Sequence, residues 1–217
     1  MKRDMRRLTL LCSFVIGFGA SGCASFSQET ASGFSYQSIP MATGTAKAGT
    51  GSSILFRGSP LALSGTGIAV GDELRSVKVA RRDLSLVDIT ESNGKVRIIS
   101  VVPSLDTKVC EQQTHYLSEK NNGLDQHVEL VTISVDTPFA QDRFAREAKI
   151  GNVTFLSDYR GGEFGLAHGL LLEEPHLLAR AVMVVDRDNI IRYLQITPDL
   201  ATMPDMEAAF AAASTLL

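Results

Sequence analysis

The sequence predicts an α/β fold, in which helices cover the faces of a central β-sheet. Apolar runs rich in β-branched residues alternate along the chain with segments of helical spacing. The chain then ends on a pair of short strand-like runs followed by a helical segment. Hydrophobic residues make up 44% of the 217 residues, which is enough for one domain with a substantial core.

The N-terminus is typical of an export signal and predicts that residues 1–22 are removed. A basic stretch over 1–7 precedes an apolar run over 8–20, which is shorter than the roughly 20 residues that a spanning helix needs. An uncleaved N-terminal anchor helix is the alternative. Cys23 directly follows the small residues 20–22, and this end resembles a bacterial lipoprotein signal. The resemblance implies an exported protein of the bacterial cell envelope, anchored to a membrane by a lipid on Cys23.

Residues 23–53 are expected to form a flexible tether that begins at the lipidated cysteine. They are rich in Ser, Thr, Ala and Gly and show no hydrophobic period. A coil of about 30 such residues spans roughly 30 Å, so the tether would hold a domain just off a membrane surface. The folded domain is then expected over 54–217.

The folded domain is expected to open with a β-hairpin, in which apolar runs over 54–56 and 61–63 flank a turn over 57–60. The run 96–102 is nearly continuous in apolar residues and predicts a central strand covered on both faces. Further strands are expected over 76–79, 128–135, 153–156, 181–185 and 190–195, and helices over 109–119, 139–149 and 203–216.

Composition argues against nucleic-acid binding and against a metal site. The formal net charge is −3 although the first 23 residues carry four cations and one anion, so the rest of the chain is more acidic still. There is no Trp, and aromatic residues are few. The histidines lack metal-ligand spacing, so we expect neither a metal nor another cofactor; they are His115, His127, His168 and His176.

Cys110 is the candidate reactive residue, because it is the only cysteine of the expected domain. Segment 103–110 leads from the predicted central strand into the next helix, which places the thiol in the first helical turn. Unpaired backbone N–H groups and the positive end of the helix dipole favour a thiolate there, and the thiolate is the nucleophile. Thr107, three residues earlier, can turn its hydroxyl toward the sulfur. The ordinary alternative for a single cysteine is a small buried hydrophobe.

The pattern Pro103-x-x-x-Thr107-x-x-Cys110 resembles the peroxidatic motif of the peroxiredoxins. The chain is most similar to their thiol peroxidase subgroup, the atypical two-cysteine class, and further similar segments follow in the same order at 55–60, 134–144, 178–182 and 202–209. The resemblance implies a thioredoxin-like fold with an N-terminal β-hairpin. It also implies a peroxidase that reduces hydrogen peroxide and organic hydroperoxides, and a homodimer.

The resemblance further implies a role for each site residue. Cys110 matches the peroxidatic cysteine, which cycles through a sulfenic acid. Thr107 matches the threonine that hydrogen-bonds the peroxide and the thiolate, Pro103 the proline that caps the pocket, and Arg180 the arginine that stabilises the thiolate and polarises the peroxide. Such a set suits O–O cleavage, since a fixed cation and aligned donors offset the charge on the departing oxygen.

Ala145 departs from the subgroup and leaves two functions open. It stands where the subgroup carries its resolving cysteine, so the usual internal disulfide has no partner in the domain; Cys23 could reach Cys110 only if it were not lipidated. The first hypothesis is a peroxidase whose Cys110 sulfenic acid is resolved by an external thiol, either a thioredoxin-like protein or a small thiol. The second is a tethered redox-sensing or binding domain with little turnover. The complete peroxidatic set favours the first hypothesis, and Ala145 favours the second.

Overall fold

The structure, a computed structural model, describes residues 33–217. Its strands are β1 (Ser53–Phe56), β2 (Ser59–Ser64), β3 (Lys78–Ala80), β4 (Leu86–Asp88), β5 (Arg97–Val101), β6 (Glu129–Ser134), β7 (Val153–Ser157), β8 (Leu171–Leu172), β9 (Ala181–Val185) and β10 (Ile191–Ile196). Its helices are α1 (Lys108–Glu119), α2 (Pro138–Glu147), α3 (Glu163–His168) and α4 (Met206–Ser214), with a 3₁₀ turn at Leu124–Gln126. The predicted export signal and the predicted lipidation site at Cys23 lie outside the described residues.

Strands β1 and β2 form the expected N-terminal hairpin. Its turn consists of Arg57 and Gly58, which both have positive φ angles, 52° and 81°. Two consecutive positive φ angles are what a tight two-residue hairpin turn requires. The sequence predicts a longer turn, but Ser59 and Pro60 belong to β2 and pair with β1. Strand β8 pairs with β2 and completes a three-stranded sheet.

Seven strands form the central sheet in the order β10-β9-β5-β6-β7-β3-β4. Strand β5 pairs in parallel with β6 and antiparallel with β9. Every residue of β5 is buried, which confirms the prediction of a central strand covered on both faces.

The side chains of β5 alternate between two apolar cores, one on each face of the central sheet. Ile98 lies in the core that α1, α2 and α4 cover, which also contains Cys110. Ile99 and Val101 lie in the other core, which includes residues of the hairpin and Phe164 of α3. The expected α/β architecture with covered faces is therefore confirmed.

Helix α4 begins three residues later than predicted. Asp205 caps it, since the Asp205 carboxylate accepts a hydrogen bond from the backbone N–H of Ala208 at 2.9 Å. Met203, the predicted first residue, instead forms a parallel β-bridge with Met41. The N-terminal segment thus occupies the position from which the predicted helix would start.

Residues 34–52 lie against the domain, which differs from the expected flexible tether. Backbone N–H groups of this segment donate to carbonyls of the domain at 2.7–2.9 Å: Ala42 to Met203, Ala46 to Ile196 and Gly49 to Gly169. A Cβ atom added at Gly169 would lie 2.5 Å from the backbone nitrogen of Gly49. Small residues permit this close approach, so residues 42–49 dock through their backbone and need no hydrophobic period.

Candidate active site

The loop between β5 and α1 is held in place by Asp136, which follows β6. One carboxylate oxygen accepts from the Ser104 hydroxyl at 2.8 Å, and the other accepts from the backbone N–H of Leu105 at 2.7 Å. Pro103 is buried at the start of this loop. The parallel β5 and β6 end at the same edge of the sheet, so a residue after one strand can fix the loop after the other.

The sulfur of Cys110 contacts both a hydroxyl and a guanidinium group. The Thr107 hydroxyl donates to the sulfur at 2.9 Å, and Nη2 of Arg180 donates to it at 3.4 Å. Both donors stabilise negative charge on the sulfur. Cys110 is 0% exposed, whereas Thr107 is exposed. The predicted proximity of Thr107 and Cys110 is therefore present in the structure.

Arg180 is a buried cation with a partner for each of its three nitrogens. It is 2% exposed. Besides the contact with Cys110, its Nε donates to the carbonyl of Leu200 at 3.0 Å and its Nη1 to the Gln113 side-chain oxygen at 2.8 Å. None of the ion pairs within residues 33–217 involves Arg180. Its positive charge therefore faces the sulfur without a competing carboxylate.

Gln113 completes the site, although nothing in the sequence motif points to it. It is fully buried, and its Nε2 donates to the Ser100 hydroxyl at 2.8 Å and to the carbonyl of Ala181 at 3.2 Å. Through its oxygen it also orients Arg180. A polar side chain one helical turn after Cys110, on the buried face of the same helix, is the pattern that could have indicated this role.

The antiparallel pairing of β5 and β9 brings the thiol and the guanidinium together. Val101, the last residue of β5, pairs with Ala181, the first residue of β9. Because the strands run in opposite directions, the end of β5 meets the start of β9. Cys110 after β5 and Arg180 before β9 thus meet at one edge, although they are 70 residues apart in sequence. Arg180 directly precedes Ala181, the first residue of β9.

Ala145 lies on α2, is 2% exposed and packs in the same apolar core as Cys110. Cys110 is a free cysteine, and residues 33–217 contain no other cysteine. The described part of the chain therefore offers no second thiol for an internal disulfide.

The histidines do not contact the sulfur. His115 bonds Glu119 through Nδ1 at 2.7 Å, and His168 bonds the carbonyl of Phe164 through Nδ1 at 2.8 Å. His127 and His176 are exposed. In the region that the structure describes, no three His, Cys, Asp or Glu side chains are grouped so that they could hold a metal ion. Over the same residues, no helix has both the length and the apolar character to cross a membrane.

Comparisons with known sequences agree on one family. The Redoxin family profile matches residues 69–210. The thiol peroxidase of Halalkalibacterium halodurans is 44% identical over 165 residues, which cover 76% of this chain and 99% of that protein. The thiol peroxidase of Streptococcus pneumoniae is 42% identical over 163 residues, 75% of this chain and 99% of that protein. The chain belongs to the thiol peroxidase group of the peroxiredoxins.

Solved peroxiredoxin structures share the fold of this thiol peroxidase. A peroxiredoxin-like protein from Aquifex aeolicus superposes with a TM-score of 0.73 at 31% identity, over 80% of this chain and 100% of the other. A thiol peroxidase from Chromobacterium violaceum superposes with a TM-score of 0.66 over 75% of this chain and 95% of the other; at 21% identity it shows the fold alone. The predictions of a thioredoxin-like fold and of a peroxiredoxin enzyme are confirmed.

Proposed function

We propose that this peroxiredoxin reduces hydrogen peroxide and organic hydroperoxides with Cys110 as the nucleophile, and that an external thiol restores Cys110. The contact of the Cys110 sulfur with both the Thr107 hydroxyl and the Arg180 guanidinium carries this proposal. Together the two donors stabilise a thiolate and can offer hydrogen bonds to a peroxide bound beside it.

In the first step the Cys110 thiolate attacks one peroxide oxygen. The S–O bond forms as the O–O bond breaks, and the departing oxygen takes up a proton and leaves as water or an alcohol. Negative charge moves from the sulfur to the departing oxygen, so the fixed cation of Arg180 stabilises the transition state. Gln113 keeps that cation in place, and the buried Pro103 excludes a competing backbone donor from the pocket.

In the second step a thiol from outside the domain attacks the Cys110 sulfenic acid. An S–S bond forms and water leaves; a second thiol then displaces Cys110 and carries the disulfide away. Two thiols thereby supply the two electrons that reduced the peroxide. Ala145 supports this route, because no described residue supplies a resolving thiol. A thioredoxin-like protein or a small thiol would serve as the reductant.

The decisive experiment is peroxide consumption by the purified protein with dithiothreitol as the reductant. We expect many turnovers for the wild type and none above background for Cys110→Ser. Cys23→Ser is the matched control, since it removes another cysteine and is expected to keep the activity. Equal consumption by the wild type and Cys110→Ser would contradict the proposal.

A redox-sensing or binding domain is the second candidate, and the alanine at position 145 favours it. Such a domain would consume about one peroxide per Cys110 and then stop, whatever thiol is supplied. Counting the peroxide consumed per protein over a long incubation with dithiothreitol or thioredoxin separates the two candidates.

We further propose that the protein is exported and held to a membrane of the cell envelope by a lipid on Cys23. The basic stretch, the short apolar run and the small residues before Cys23 support this proposal. The intact mass of protein from the membrane fraction should show a chain that begins at Cys23 and carries a diacylglyceryl group. A soluble mature form with a different first residue would contradict it.

We also propose a homodimer, as the family resemblance implies. Phe139 is 68% exposed and Tyr159 is 43% exposed. They follow the adjacent parallel strands β6 and β7, so both lie at the sheet edge that carries Cys110. Light scattering should give a dimer for the wild type and a monomer for Phe139→Asp, whereas a monomeric wild type would contradict the proposal.

A further inference from the structure

Residues 34–37, which we call the strap, lie on α1, the helix whose first turn carries Cys110. The backbone N–H of Gln37 donates to the side-chain oxygen of Gln112 at 2.7 Å. In return, the Gln112 side-chain nitrogen donates to the carbonyl of Gln37 at 3.0 Å. Gln112 is buried, and it follows Cys110 by two residues. The strap is therefore attached to α1 within one helical turn of the sulfur.

The strap also holds α1 further along the helix. The ring of Phe34 stacks on His115 with 3.9 Å between ring centroids. The hydroxyl of Tyr36 donates to Glu119 at 3.0 Å. Burial, reinforced by the Glu119 carboxylate, raises the pKa of Tyr36 above its usual range, so its hydroxyl remains a donor at any physiological pH. Three consecutive turns of α1 are thus tied to the strap.

The second step of the proposed reaction needs more room at Cys110 than the structure provides. The sulfur is 0% exposed. A peroxide can reach the sulfur once the exposed Thr107 side chain turns aside, but a thiol carried by a peptide or a protein must approach along the S–O bond that it breaks. The start of α1 must therefore unwind, which breaks the hydrogen bonds from the Glu111 N–H to the Thr107 carbonyl and from the Thr114 hydroxyl to the Cys110 carbonyl, both 2.9 Å long.

We propose that the strap holds α1 closed and so limits the rate at which a second thiol reaches the Cys110 sulfenic acid. Unwinding that exposes the sulfur draws Gln112 away from Gln37, so the reciprocal pair opposes it. Attack on peroxide takes place in the closed form and is not slowed. The proposal rests on the proposed function, since it concerns the resolution of the same sulfenic acid.

A closed site also exposes the sulfenic acid to a second oxidation. While the external thiol is kept away, a second peroxide can add its oxygen to the sulfur, which gives a sulfinic acid and releases water or an alcohol. The strap therefore shifts the outcome from reduction toward overoxidation. The strap lies outside residues 69–210, which the Redoxin profile matches.

The test compares three variants of the full chain in single-turnover kinetics. Gln112→Ala removes the reciprocal pair, and Tyr36→Phe removes one hydrogen bond while it keeps the ring. Ser118→Ala is the matched control on the same helix, because the Ser118 hydroxyl donates to Asn152 at 2.6 Å and not to the strap.

With hydrogen peroxide, we expect all variants to oxidise Cys110 at the wild-type rate. With glutathione, the sulfenic acid of Gln112→Ala should react about tenfold faster than the wild type, since two hydrogen bonds that oppose opening are lost. Tyr36→Phe should react a few-fold faster, and Ser118→Ala should be unchanged. The sulfinic acid fraction, seen as a mass gain of two oxygen atoms, should fall in the same order.

Hydrogen exchange of the α1 backbone amides over 108–114 measures opening without any peroxide chemistry. We expect faster exchange in Gln112→Ala and in Tyr36→Phe than in the wild type. Unchanged exchange and unchanged glutathione rates, or an equal acceleration in Ser118→Ala, would overturn the proposal. A wild type that does not react with peroxide would contradict the proposed function. The hydrogen-exchange rates would still show whether the strap opposes the opening of α1. If circular dichroism shows that Gln112→Ala does not fold, the rates measured for Tyr36→Phe test the proposal instead.

Discussion

The two donors that contact the Cys110 sulfur differ in how firmly they are held. Arg180 is fixed through three nitrogens, whereas the Thr107 hydroxyl can also turn toward the Ser104 carbonyl at 3.3 Å. In the proposed reaction the rotatable hydroxyl donates to the sulfur before a peroxide arrives and to the peroxide afterwards. The fixed guanidinium supplies a constant field throughout.

At Thr107, the change to Val removes the hydroxyl but keeps the branched shape. We expect the second-order rate of Cys110 with hydrogen peroxide to fall by about 10²-fold, because a hydrogen bond to a charged group contributes roughly 1.5–3 kcal/mol. Stopped-flow measurement of thiol loss gives the rate. Thr107→Ser retains the hydroxyl and should keep most of the wild-type rate. A wild-type rate for Thr107→Val would show that the hydroxyl does not take part in the reaction.

At Gln113, the change to Leu removes the acceptor of Arg180 while it nearly keeps the volume. The guanidinium then loses one of its three anchors, and we expect the peroxide rate to fall by roughly tenfold, about 1.4 kcal/mol. Gln112→Ala, at the neighbouring position that faces the strap, should keep the wild-type peroxide rate. Equal effects of the two changes would mean that Gln113 acts only through the stability of the helix.

Helices α1 and α2 share a core but carry only one thiol between them. Ala145 packs in that core from α2, and Cys110 from α1. Position 145 of α2 therefore faces the same core as the thiol of α1.

We predict that Ala145→Cys allows internal resolution, because position 145 faces the same core as Cys110. After one equivalent of peroxide we expect an intramolecular disulfide, seen as a loss of two hydrogens in intact mass and of both titratable thiols. The change should cost about 1–3 kcal/mol in stability, since it adds a sulfur atom to a packed core. Ala148→Cys, at the end of α2, is the matched control; disulfide formation to the same extent in both variants would contradict a specific role for position 145.

The elements and site residues that the sequence predicts are those set by local patterns. The contact between Thr107 and Cys110 spans three residues, and the continuous apolar run identifies β5 as a central strand. Arg180 is recognised only through family resemblance, because nothing local links it to a thiol 70 residues away. The docked segment 34–52 escapes prediction, since residues 42–49 bind through backbone groups of small residues and the side-chain contacts of Phe34 and Tyr36 are too few to form a period.

At the scale of the whole molecule, His168 joins two distant parts of the chain. It is fully buried, its Nδ1–H donates to Phe164, and its Nε2 accepts from the backbone N–H of Arg75 at 3.1 Å. Burial lowers the pKa of His168 to about 4 from its ordinary value of 6.5. The folded protein therefore holds this imidazole neutral where the unfolded chain would protonate it.

The stability of the protein should fall as the pH falls from about 6.5 to about 4. In that window the unfolded chain takes up a proton on His168 and the folded chain does not, so the contribution of the neutral imidazole is complete above pH 6.5 and is lost toward pH 4. The loss should approach roughly 3 kcal/mol. Urea unfolding at several pH values measures it, and His168→Gln, which keeps a donor and an acceptor, should flatten the dependence. An unchanged slope in that variant would assign the pH dependence to other groups.

The antiparallel pairing of β5 with β9 also determines when, during folding, Arg180 comes into contact with Cys110. Cys110 leaves the ribosome 70 residues before Arg180, and the two meet only when the last strands join the sheet. Pairing between distant segments is a slow step of folding. We expect that a chain still being made carries a thiol without the Arg180 contact, and that both donors reach the sulfur only when folding is complete. We therefore expect Cys110 to react slowly with peroxide until β9 has joined the sheet.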